Sequence, residues 1–139
     1  MVIHHHDLVV TLDDAWWKKA GMESFIPESN AYTANRSALR AGVKVCLIAI
    51  NDVEPLRRDL IFRDNTEDGT PAEERVIHIL KGFVNGDAIH PVELIKNFSG
   101  PQLFSLRDGA HRFYCSVAAG FTHVPAFKGL DDRARYELC

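Results

Sequence analysis

The 139 residues are of single-domain length, and at 46 % hydrophobic they can bury a core rather than stay disordered. A net charge of −3 argues against broad nucleic-acid binding, which needs a basic face. No apolar run approaches the roughly 18 residues of a membrane span, and no signal-peptide pattern opens the chain.

Taken in order, His4, His5 and His6 come first. They fit a tag remnant, a native surface run or a weak metal site. Residues 8–12 predict a strand. Asp13 or Asp14 then caps a short helix through Ala20, closed by Gly21. Trp16 and Trp17 lie in that helix, one expected inside and one at the surface. Residues 25–35 read as loop. The first 42 residues carry no motif, and the expectation is an added layer on the core or a contact between copies of the chain, so that a homo-oligomer would form through them.

Residues 43–50 (VKVCLIAI) are almost continuously apolar, which predicts a strand buried on both faces. Residues 51–58 turn out of it. Arg57 and Arg58 are available there for a phosphate, while Asp52 and Glu54 suit a metal or a catalytic base; the alternative is a solvated charged turn. Residues 63–69 are polar loop. Thr70, Pro71 and Glu73 form a capping box, starting a helix to about Phe83 with Val76, Ile77, Leu80 and Phe83 inward. A turn at Gly86 leads to a strand over 89–95, a loop over 97–101 and a strand over 102–106. A helix is expected over 110–119, stopped by Gly120, then a strand over 122–127 that Pro125 pushes to a sheet edge. Residues 131–138 predict a terminal helix. Cys46, Cys115 and Cys139 have no metal or redox spacing; the odd count fits a reducing cytoplasm, with Cys46 and Cys115 as core fillers.

The chemistry concentrates at the corner between the 102–106 strand and the 110–119 helix. Asp108 is a natural N-cap, and the first-turn amides of Gly109, Ala110 and His111 have no intrahelical partner. The helix dipole favours an anion there, Gly109 permits close approach, Arg112 offers a bidentate fork, and His111 donates or shuttles a proton. Together they suit phosphate. The alternative is an ordinary capped helix with solvated His and Arg.

The run Asp108-Gly109-Ala110-His111-Arg112, followed by Ala118-Ala119-Gly120-Phe121 and Val124-Pro125-Ala126, resembles the ParB/sulfiredoxin superfamily. Upstream, residues 50–57 (INDVEPLR) look like its first box and residues 86–94 (GDAIHPVEL) like its middle strand, so the resemblance covers about 43–127. It implies an α+β fold, a small mixed sheet with packed helices, in which residues 1–42 are an extension and 43–139 the domain proper. It also implies a phosphate-bearing small ligand or nucleotide, ATP, ADP or CTP with Mg²⁺. Gly109, Ala110, His111, Arg112 and Arg57 would bind it, with His111, Asp108, Glu54 and Asp52 as the catalytic candidates. Sulfiredoxins carry a catalytic cysteine where this chain has Ala110, so that activity is not expected. Chromosome-partitioning members follow this domain with a helix-turn-helix, for which too few residues remain. Kinases of the superfamily acting on free serine carry Asp-Gly-His-His-Arg, which Asp108–Arg112 resembles most. The expected function is nucleotide or phosphate binding, with phosphoryl transfer to a small molecule as its catalytic form. The alternatives are a DNA-linked ParB-like nuclease and a non-catalytic interaction module built on Trp16 and Trp17.

Overall fold

The computed structural model describes residues 1–57, 61–62, 69–129 and 138–139. Most of the expected terminal helix over 131–138 and most of the 63–69 loop lie outside the described residues.

The histidine run is the inner half of a hairpin. Strand β1 (Val2–His5) pairs antiparallel with β2 (Leu8–Thr11). A strand exposes alternate side chains, so Ile3 and His5 point inward while Val2 and His4 face solvent. His6 takes φ 53° in the turn. His5 is a core residue at 2 % exposure. Helix α1 (Asp14–Lys19) begins as its sequence dictates, the Asp13 carboxylate accepting from the Ala15 amide. Trp16 and Trp17 are both half-buried against the core, so neither is the fully inward or fully exposed partner expected.

The main sheet has the order β3-β6-β4-β5, from β3 (Cys46–Ala49), β4 (Val92–Lys96), β5 (Phe104–Asp108) and β6 (His123–Lys128). The β4–β6 pair is parallel, and β3–β6 and β4–β5 are antiparallel. With helices α2 (Ala72–Asn85) and α3 (Ala110–Ala119), this is a mixed α+β architecture. The expected doubly buried strand is instead an edge strand. It is also buried on one face only: side chains alternate along the strand, so Cys46 and Ile48 are buried while Leu47, on the other face, is exposed. Pro125 is the converse case, since it sits in β6, an inner strand. The β4 ladder begins only at Val92–Ala126, so Pro125 is paired on the β3 side alone, opposite Leu47.

Helix α2 starts at Ala72 with Pro71 at the N-cap and no side-chain cap bond, so the expected capping box does not form in that register. Its buried face is Val76, Ile79, Leu80 and Phe83, with Ile77 only half-buried. Gly86 ends it at φ 71°, as a left-handed C-cap. Helix α3 matches its sequence bounds, and Gly120 closes it at φ 91°. Phe113, Tyr114 and Cys115 on α3 are fully buried and join Leu12 and Met22, from the first 42 residues, in one core. The N-terminal segment is therefore built into the same core as the rest.

Cys115 is the core filler expected, and burial pushes its thiol pKa up. Cys46 is not a simple filler. It is bonded to Cys139, with Cα atoms 5.8 Å apart, so the odd count does not describe a fully reduced set. Alkylation of the denatured, unreduced chain is expected to label Cys115 alone, and reduction should expose all three thiols to the reagent. Three labels without reductant would contradict the pairing.

Candidate functional site

The corner forms where β5 ends and α3 begins. Asp108 is the last residue of β5, paired with Glu93 across a bulge, and is not the N-cap expected. Gly109 takes that position at φ 99°, with no side-chain cap bond. The backbone must turn left-handed there, and glycine does so without a Cβ penalty. With glycine at the N-cap, α3 has no N-cap side chain to accept from its first-turn amides.

Arg112 folds back over this corner and is only 17 % exposed. Its Nη1 donates to the His90 carbonyl at 3.3 Å and the Pro91 carbonyl at 3.4 Å, and its Nη2 lies 3.5 Å from an Asp108 carboxylate oxygen. These contacts are long for hydrogen bonds and individually weak. They hold a cation beside the helix N-terminus without saturating it. His111 turns to the other flank, where its Nε2 donates to the Ile61 carbonyl at 3.0 Å and its ring lies 5.7 Å from Phe62.

His90 completes the corner and carried no signal in the sequence. Its imidazole pKa is held below the usual range by burial, and by the nearby Arg112 charge. Its carbonyl accepts from the Tyr32 hydroxyl at 2.7 Å as well as from Arg112. Burial raises the Tyr32 phenol pKa, an effect the Arg112 charge partly offsets. Tyr32 and Arg112 therefore share one backbone atom across 80 residues of sequence.

Glu54 and Arg57 of the 51–58 turn are engaged elsewhere. Glu54 accepts from Ser105 Oγ at 2.6 Å and from Asn97 Nδ2 at 3.0 Å, bracing the β4–β5 hairpin. Arg57 grips Asp7 in the first hairpin turn at 2.7 and 3.0 Å, and this bond holds the exposed Asp7 carboxyl below its usual range. Asp52 sits half-exposed in a one-turn 3₁₀ helix (Ile50–Asp52). Glu54 and Arg57 do share a small cavity of about 210 Å³ with Pro55, Leu56 and Leu106. Arg58 lies outside the described residues. The structure thus brings Asp108, Gly109, Ala110 and Arg112 together with His90, while the His111 side chain turns to the other flank. Asp52, Glu54 and Arg57 do not join them.

Among the described residues no group of three or more His, Cys, Asp or Glu is placed to hold a metal ion. Nor is any helix among them long and apolar enough to cross a membrane. No known protein family, curated protein or solved structure matches this chain. The ParB/sulfiredoxin resemblance rests on its short motifs alone.

Proposed function

We propose that this chain binds a phosphate-bearing small molecule, with a nucleotide as the form its family resemblance suggests, at the Asp108–Arg112 corner. The observation that supports it is an α3 N-terminus whose N-cap is a glycine, with no side chain of its own to accept from the first-turn amides, and the Arg112 guanidinium lying beside it. The amides of Ala110 and His111 supply directed donors, and Arg112 supplies the charge that makes such bonds strong. A bound phosphate would take over the guanidinium edge now facing Asp108. Binding is the extent of the proposal. The three acids named from the sequence do not converge, so no transfer step is assigned.

Calorimetric titration with ATP, ADP and CTP, each with and without Mg²⁺, tests this. Arg112→Ala is expected to weaken binding by tenfold or more, given about 1.5–3 kcal/mol for a hydrogen bond to a charged group. Arg112→Lys should fall between, since it keeps the charge and loses the fork. Arg112 also braces His90 and Pro91, so circular dichroism must show both variants folded. Unchanged affinity in a folded Arg112→Ala protein, or no binding of any nucleotide at millimolar concentration, would overturn the assignment.

A further inference from the structure

A second concavity backs onto the Asp108 corner through Tyr32, whose hydroxyl shares the His90 carbonyl with Arg112, but its lining is of the opposite charge. It is a cavity of about 540 Å³ between the segment 21–33 and the C-terminal end of α2. Four aromatic residues line it. Tyr32 stacks on Phe83 at 5.5 Å between ring centres, and Phe121 meets Phe83 edge-on at 5.2 Å. Phe25 meets Phe121 edge-on at 5.9 Å. Tyr32 and Phe83 are buried and form the floor, while Phe25 and Phe121 are half-buried walls.

The rim is electronegative. Glu28 and Asp87 both line the cavity and both are exposed, and among the described residues no lysine, arginine or histidine lines it. Val84 and Asn85, in the last turn of α2, line it as well. The last carbonyls of a helix lack intrahelical partners, and the helix dipole puts negative partial charge there. Gly86 turns the chain left-handed at φ 71°, its own amide returning to the Gly82 and Phe83 carbonyls. Aromatic faces carry negative charge above the ring plane, so they attract cations also.

We propose that this cavity binds a small organic cation with a flat apolar body, the body against the aromatic floor and the charged head toward Glu28, Asp87 and the end of α2. A neutral ligand would gain the apolar contact but not the charge. An anion would meet the carboxylates and the negative helix end. The cavity is therefore distinct in ligand class from the phosphate corner, and its proposal stands without that one.

Amide-resolved NMR titration with three probes of similar shape tests it: phenethylammonium, phenethyl alcohol and phenylacetate. The ammonium probe is expected to shift amides in 21–33 and 82–87 and to bind roughly fivefold or more tighter than the other two. The double variant Glu28→Gln, Asp87→Asn alters only exposed side chains. It should bring the ammonium probe down to the affinity of the alcohol, while the alcohol binds as before. Equal binding of all three probes, shifts confined to other regions, or no shift at these amides with any probe would overturn the proposal.

Discussion

Gly109→Ala is expected to destabilise the fold by about 3 kcal/mol, a melting point lower by about 10 °C, measurable by thermal or urea unfolding. Two effects add. The backbone at Gly109 is held at φ 99°, where a side chain with a Cβ is strained by about 1–2 kcal/mol. A Cβ there would also sit 2.9 Å from Val92 Cγ1 and 2.9 Å from Arg112 Nη2. The arginine is the end of a flexible side chain and can withdraw. Val92 is β-branched, fully buried and paired with Ala126 in the sheet, so it cannot. Arg112→Ala in the same chain should therefore rescue little of the loss. Full rescue would mean that the guanidinium alone was in conflict, and that the corner is softer than its backbone implies.

That corner was legible in the sequence because its parts are contiguous. Asp108 to Arg112 lie within one turn of chain, so their juxtaposition follows from a strand ending and a helix beginning. Helix α3 was readable at both ends for the same reason, with glycine at each. What the sequence hid depends on distant partners. His90 and Tyr32 reach the corner through backbone pairing and one carbonyl, which leave no pattern in composition. The edge position of β3 and the inner position of β6 are set by strand order, a property of the whole sheet. Pro125 pointed the wrong way because its tolerance depends on where the β4 ladder starts. The hairpin of residues 2–11 was obscured by His6, a residue uncommon at positive φ, and by three histidines where a strand normally carries β-branched residues.

Tyr114→Phe is expected to destabilise the protein by about 2–3 kcal/mol at pH 7.5, because its hydroxyl is shared by the buried His5 ring and the half-buried Leu56 amide. His5 Nε2 lies 3.2 Å from the Ile50 carbonyl, which can only accept, so that nitrogen carries the proton. Nδ1 of the neutral ring then accepts from the Tyr114 hydroxyl at 3.0 Å, and the hydroxyl oxygen accepts from the Leu56 amide at 2.9 Å. Every donor in this chain has an acceptor, and the network ties β1 to α3 and to the 50–56 turn. Protonating His5 would place a second donor on the Tyr114 oxygen, in place of the bond in which Nδ1 now accepts the phenolic proton. The His5 pKa is lowered by burial first and by neighbouring His6, against the bond to the Ile50 carbonyl, which acts the other way. In the unfolded chain His5 takes its proton near pH 6.5, and in the fold only below that. Between those values the unfolded state binds more protons, so stability is full above about pH 7.5 and falls as the pH drops below 6.5. His90, also lowered, acts in the same direction. His5→Gln keeps a donor for the Ile50 carbonyl but does not titrate, and should flatten much of the difference in unfolding free energy between pH 7.5 and 5.5. If the slope survives in that variant, the titration belongs to other groups. If Tyr114→Phe changes stability by less than about 1 kcal/mol, the hydroxyl is not the hub that joins the first hairpin to the candidate site's helix.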